Sequence, residues 1–247
     1  MSAVSKVKVP LTTSPRFQKE AAEIALQMSQ FSVDELERLL RVNAKIAVEN
    51  YKRYQAFHAE ATPELPALLA YTGIVFKRLN PKDFSAEDFG YAQEHLRLTS
   101  FCYGLLRPLD VIRAYRLEGD VVLPELGNQT LFFYWRSRLT DTFIEDIRSA
   151  GGILCNLASD EMKSLFDWKR VESEVRVVTP EFHVWKNGKL ATIVVYTKMS
   201  RGEMTRFILK NKIGNPEELK GFSWEGFEFD ESLSDERKLV FINGMGE

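Results

Sequence analysis

The sequence predicts a single α+β domain over residues 1–247, and three observations point to it. Capped segments with helical periodicity fill the first half, short apolar alternations of the strand type come later, and no repeat or low-complexity linker divides the chain. Helices gathered early and strands gathered late are the pattern of segregated layers rather than of alternating βαβ units.

The elements follow in order. A helix is expected from about Pro15 to Met28. Ser32-Val33-Asp34-Glu35 is a capping box, and Leu36, Leu39, Leu40, Asn43 and Ala47 recur behind it at helical spacing, so a helix is expected to about Tyr54. Asn43 lies on that apolar stripe and needs a polar partner. After Pro63 and Pro66, LLAYTGIVFKRL reads as a short helix end, a turn at Gly73 and a strand, although an apolar run of this length fits either structure. Ser85-Ala86-Glu87-Asp88 caps a helix through His95 to about Ser100, and Arg107-Pro108 marks a turn before a second short helix. With the tight Tyr103-Gly104 turn between them, residues 94–117 have the outline of a helix-hairpin-helix.

LFFYWRSRLTDTFIEDIRSA, residues 131–150, reads as an aromatic-rich core helix. GGILCNLAS suits a buried strand that delivers Ser159 as the cap of the helix DEMKSLF, a junction that can hold a phosphate on free N–H groups and is also an ordinary structural joint. EVRVVTPEFHVW and KLATIVVYTK, joined by Asn187-Gly188, form the strongest local signal, a β-hairpin with a two-residue turn. Its second strand is expected to end at Lys198, with the next helix starting at Ser200.

Composition bounds the function. With 45% hydrophobic and 28% charged residues the chain resembles an ordinary soluble protein. No apolar run approaches the roughly 18 to 20 residues of a membrane span, and MSAVSKVKVP lacks a signal-peptide core, so a cytoplasmic protein without a membrane partner is expected. Cys102 and Cys155 have no CxxC spacing, and His58, His95 and His183 have no ligand partner at i+3 or i+4, so neither a metal nor another cofactor is expected. There is no P-loop, GxGxxG, GxSxG or HExxH pattern. A non-enzymatic role is the leading expectation. The alternative is an enzyme acting on a phosphorylated or nucleic-acid substrate, with Ser159, Asp160 and Glu161 near the reactive centre.

The net charge of −2 is unevenly spread. Residues 1–19 carry +4, residues 198–212 set five cations against Glu203, and residues 213–247 carry −6. Such segregation lets a near-neutral chain present a local positive field. In YTKMSRGEMTRFILKNK, Lys198, Arg201, Arg206 and Lys210 are candidate phosphate contacts, and Gly202 beside Arg201 is a place for close backbone approach at the strand-to-helix junction. A solvated helix flank is the competing reading. In residues 94–117, Arg97, Tyr103, Gly104, Arg107, Arg113 and Arg116 are the corresponding candidates, since a hairpin with flanking cations can hold successive phosphates without reading bases.

Several segments together resemble the YaaA family of peroxide-stress proteins: FSAEDFGYAQEHLR, YGLLRPLD, YRLE, NLASDE, YTKMSRGEMTRFI and GFSWEGFEFDE, in family order from about Lys45 to Asp235. The resemblance implies the family's "cantaloupe" fold with a positively charged cleft and a helix-hairpin-helix. It also implies a cytoplasmic protein of the oxidative-stress response that binds duplex DNA and limits damage from unincorporated iron. Carried over, the hairpin falls on Arg97 through Arg113 and the cleft on Lys198, Arg201 and Arg206. Two departures stand out. Phe101 occupies the place of a family glycine three residues before Gly104, and the family's opening apolar strand with its Ser-Pro-Ala-Lys-like turn has no counterpart before Met1. The expectation is a natural start upstream of Met1.

Overall fold

The computed structural model describes residues 1–186 and 188–244. Helices α1 (Gln18–Met28), α2 (Val33–Leu40) and α3 (Ala44–Ala56) open the chain, followed by β1 (Glu64–Pro66), α4 (Ala67–Ala70), α5 (Ile74–Leu79) and α6 (Ala86–His95). Short strands β2 (Leu98–Ser100), β3 (Gly104–Leu106), β4 (Val111–Arg113), β5 (Val122–Leu123) and β6 (Gln129–Thr130) precede the long helix α7 (Leu131–Ser149). The remainder comprises β7 (Ile153–Cys155), α8 (Asp160–Lys163), α9 (Trp168–Glu174), β8 (Arg176–Lys186), β9 (Lys189–Ala191), α10 (Val194–Asn211), β10 (Phe227–Asp230) and β11 (Lys238–Asn243). The fold class is α+β, as the sequence predicts.

Contacts divide the chain into two compact units, one formed by residues 1–71, 93–143 and 160–168, the other by 72–92, 144–159 and 169 onward. In the first, the capping box forms as expected. Ser32 Oγ accepts from the Glu35 N–H, and Glu35 Oε2 accepts from the Ser32 N–H at 2.8 Å. The helix expected to run on to Tyr54 is broken instead. Arg41 takes a left-handed φ of 50°, and Asn43 starts α3 by accepting from the Ile46 N–H at 3.0 Å. The partner that Asn43 needs is therefore backbone, the local bond that makes asparagine a better cap than a helix interior.

Residues 94–117 do not form two helices. α6 stops at His95, β2 and β3 pair as an antiparallel hairpin, and the segment after Pro108 becomes β4, which pairs with β1 through Leu65 and Ile112. A buried carboxylate fixes this turn. Asp110 Oδ2 accepts from the Arg107 N–H at 2.8 Å, Oδ1 accepts from Thr13 Oγ1 at 2.6 Å and from Arg107 Nη2 at 3.0 Å, and the chain is thereby turned out of helical geometry. In the same unit Trp135, Tyr54, Tyr103, Ile24 and Leu36 are fully buried, and Trp135 Nε1 donates to the Phe101 carbonyl at 2.8 Å.

The second unit is built on a sheet in the order β10-β11-β8-β7, with β9 added to β8. β7, β8 and β11 run parallel, whereas β10 and β9 are antiparallel to their neighbours. Phe182 and Val184 of β8, Phe241 of β11, Phe227 and Met204 form its buried core, with the Phe182 and Phe241 rings stacked at 5.4 Å. The β8–β9 hairpin appears with the expected two-residue register, Lys186 opposite Lys189, and Gly188 has the positive φ of 69° that such turns demand. The Asn187 half of the expected turn lies outside the described residues.

Two expected strands are helices. GIVFKRL forms α5 behind Gly73, and β9 ends at Ala191 rather than Lys198, so that α10 begins at Val194. Tyr196, Met204, Phe207 and Ile208 recur at helical spacing and pack on the sheet core, and this burial overrides the strand preference of the β-branched run Ile193-Val194-Val195.

Candidate nucleic-acid interface

Because α10 starts early, Arg201 and Gly202 lie inside a helix and not at its junction with a strand. A Cβ on Gly202 would stand 2.3 Å from the Val75 carbonyl oxygen and 2.7 Å from Arg78 Cβ. The missing side chain thus admits α5, not a ligand. Arg201 is half-buried, and its Nε and Ser200 Oγ are buried polar atoms that accept or donate no hydrogen bond, although Arg201 takes part in a further contact.

The basic stretch that follows is engaged by acids from the middle of the chain. Arg206 makes a two-pronged pair with Asp83, Nη1 to Oδ1 at 2.9 Å and Nη2 to Oδ2 at 2.5 Å, and also donates to the Asn80 carbonyl at 2.8 Å. Lys210 Nζ lies 2.8 Å from Oδ2 of Asp88, and Lys212 Nζ lies 3.3 Å from Glu87 and 3.8 Å from Asp88. Arg206 and Lys210 both sit over the Phe84 ring. The electrostatics agree with the geometry. The Arg206 hydrogen bonds hold the Asp83 carboxyl below its ordinary value, and Asp83 in turn raises the Arg206 guanidinium. Burial alone would raise the Asp88 carboxyl, but Lys210 and the Ser85 N–H and hydroxyl outweigh it and hold the group at about 2. Glu203, the acid within the stretch, is pushed up by burial while pairing with Arg78 at 3.6 Å. Only Lys198, among the cations proposed from this segment, is exposed with no acid beside it in the described residues.

The hairpin candidates are also spent on the fold. Arg97 Nη1 donates to the carbonyls of Gln93, Glu94 and Leu96, closing the end of α6. Arg107 holds Asp110, Arg113 Nε meets Glu64 at 3.0 Å and its Nη1 donates to the Phe57 carbonyl, and Arg116 meets Glu118 at 2.9 Å. Tyr103 is buried, its hydroxyl accepting from the Arg113 N–H at 3.0 Å. Gly104 has φ +68°, and a Cβ there would strike the Trp135 ring at 2.7 Å. The side-chain position of that glycine is filled by the core. Ser159 precedes a helix of only four residues, α8, whose opening residues are Asp160 and Glu161; these acids repel an anion, and Asp160 already pairs with Lys163 at 2.8 Å. Among the described residues, no group of three or more His, Cys, Asp or Glu could hold a metal.

The sequence reading passed over the tip of the β8–β9 hairpin. Lys186 and Lys189 face one another there, exposed and without an acid in the described residues, and Trp185 stands opposite Leu190 with about half of its surface in solvent. The signal was present in the strand alternation, which puts Trp185 on the side away from Phe182 and Val184.

A family model described as "Peroxide stress protein YaaA" matches residues 1–233. The chain belongs to the peroxide stress protein YaaA family. Within the YaaA family it is 99% identical to a UPF0246 protein of Bacteroides thetaiotaomicron over 247 residues, all of this chain and 96% of the relative. A UPF0246 protein of Bacteroides fragilis is 78% identical over the same span and coverage. A relative from Crocosphaera subtropica, also called a UPF0246 protein, keeps 37% identity over 235 residues, covering 95% of this chain and 92% of its own. YaaA membership therefore extends over both compact units.

Proposed function

We propose that this chain serves the peroxide-stress response as a non-enzymatic DNA-binding protein that contacts the phosphate backbone and thereby helps to limit damage from unincorporated iron. The family's description supports the stress role. The observation that carries the binding role is that Lys186, Lys189 and Lys198 are exposed with no acid paired to them among the described residues of the second unit, a property they share with Lys77, Lys82 and Lys169. Arg206, Lys210 and Lys212, by contrast, have local acids, and an internally neutralised cation releases few counterions from DNA. The contact surface is therefore assigned to the lysines, and the arginine-rich stretch becomes scaffold.

Titration of labelled duplex DNA at several salt concentrations tests this. Affinity falls with a log–log slope of about −0.9 per neutralised phosphate. Lys198→Ala flattens that slope by about one contact with no change in melting temperature, whereas Arg206→Ala lowers the melting temperature and leaves the slope alone. An unchanged slope in Lys198→Ala, or a flattened one in Arg206→Ala, refutes the assignment.

A further inference from the structure

We propose that Tyr71 and Tyr115 form a hydrogen-atom relay that takes up oxidising radicals of the hydroxyl class at the surface of the first unit and holds the unpaired electron in its core. The relay is independent of DNA binding. Both side chains belong to the unit formed by residues 1–71, 93–143 and 160–168. Their hydroxyl oxygens lie 2.8 Å apart, and Tyr115 Oη lies 2.7 Å from Ser100 Oγ, which accepts from the Tyr103 N–H at 2.8 Å. A backbone donor, a serine and two phenols are thus joined in one hydrogen-bonded chain.

A serine hydroxyl has one hydrogen to give and two lone pairs to offer. With the Tyr103 N–H on one lone pair, Ser100 donates to Tyr115 and Tyr115 donates to Tyr71, an order in which each hydroxyl of the chain is used. That order points outward, since Ser100 and Tyr115 are 3% and 6% exposed whereas Tyr71 is partly exposed. Burial pushes the Tyr71 hydroxyl up to about 12 and raises that of Tyr115 as well, so both phenols keep their hydrogens at neutral pH. A core does not require this chain. Phenylalanine at both positions fills the same space with no buried hydroxyl to satisfy.

Phenols are among the side chains most easily oxidised by one electron, and the order of the hydrogens prepares the step. A hydroxyl radical, formed from ferrous iron and hydrogen peroxide, takes the hydrogen atom of Tyr71: the O–H bond breaks, water forms, and Tyr71 is left as a phenoxyl radical. The hydrogen of Tyr115 already points at that oxygen. Its transfer across 2.8 Å, one proton with one electron, restores the Tyr71 hydroxyl and moves the radical to Tyr115. There the Ser100 hydroxyl donates to the phenoxyl oxygen, and the buried ring, with Tyr71 at 6.5 Å and Tyr103 at 5.8 Å, is kept from coupling with a second radical. The radical returns to Tyr71 by the same path. A low-molecular-weight thiol gives Tyr71 its S–H hydrogen there and leaves as a thiyl radical.

The test exposes the full chain to azide radicals made by pulse radiolysis, which oxidise a phenol to its radical and leave azide ion and a proton. Phenoxyl absorbance and the paramagnetic resonance of freeze-quenched samples follow the product. The parent is expected to hold a long-lived phenoxyl radical. Tyr115→Phe loses that long-lived signal, and Tyr71→Phe loses the route by which it forms. Ser100→Ala keeps both phenols and shortens the lifetime, and in heavy water the transfer from Tyr115 to Tyr71 slows. Oxidation of the exposed Trp185 is common to parent and variants and cancels in the comparison. Equal lifetimes in parent and Tyr115→Phe overturn the relay, as does a parent whose radical decays as fast as that of free tyrosine. Should melting curves show that a phenylalanine variant does not fold, Ser100→Ala decides, and an unchanged lifetime there overturns the relay as well.

Discussion

Asp88→Asn isolates what the internal neutralisation of the basic stretch is worth. Asp88 is 4% exposed, yet its carboxyl sits at about 2 in the folded protein instead of 3.8, because Lys210 Nζ is 2.8 Å away and the Ser85 N–H donates at 2.9 Å. A group whose pKa is depressed on folding stabilises the fold above its unfolded value, and that stability disappears as pH falls towards the folded one. The gap between 3.8 and about 2 corresponds to about 2.4 kcal/mol at neutral pH, at about 1.36 kcal/mol per tenfold change. Asparagine preserves the shape and the acceptor for Ser85 but abolishes the charge. Urea unfolding at pH 7 should show a loss of about 2 kcal/mol, and by about pH 3 the difference from the parent should shrink to roughly half. In a thermal melt at neutral pH the same loss appears as a shift of about 4–8 °C. If the variant is equally destabilised at both pH values, the loss comes from packing and the electrostatic account fails.

Three further outcomes follow from the geometry. Gly202→Ala forces a Cβ to within 2.3 Å of the Val75 carbonyl, so α5 and α10 must separate; chemical denaturation should register a loss of at least about 1–3 kcal/mol. Arg107→Ala leaves Asp110, 1% exposed, without its cation and should cost about 3 kcal/mol in the same assay, most of it recovered when Asp110→Asn is added. Cys102 is wholly buried and burial pushes its thiol up, so a thiol reagent should not label it at neutral pH until denaturant is added, whereas Cys155 is only half-buried. Rapid labelling of Cys102 in the native protein would contradict that.

Much of the fold was legible because its signals are local. The Ser32 box, the Ser85–Asp88 cap, the α7 helix and the pairing of β8 with β9 each need only a few neighbouring residues to be read. The misread segments share a different physics. Ile193-Val194-Val195 has the composition of a strand, and packing of the later turns of α10 on the sheet is what lets the helix begin at Val194. Likewise, Arg107 and Asp110 are close in sequence, but that Asp110 also reaches Thr13 cannot be seen from spacing. The basic stretch was visible, and its neutralisation was not, since Asp83 and Asp88 stand more than 120 residues away from Arg206 and Lys210. At the hairpin the sequence held the clue, a tryptophan out of phase with the apolar alternation, but its exposure depends on how β9 pairs.

The order of the main sheet constrains when this protein can become itself. β11 lies in the interior of the sheet, between β8 and β10. Until that strand is seated, the facing edges of β8 and β10 are bare, and loss of β11 alone opens a seam in the middle of the sheet for chaperones and proteases to find.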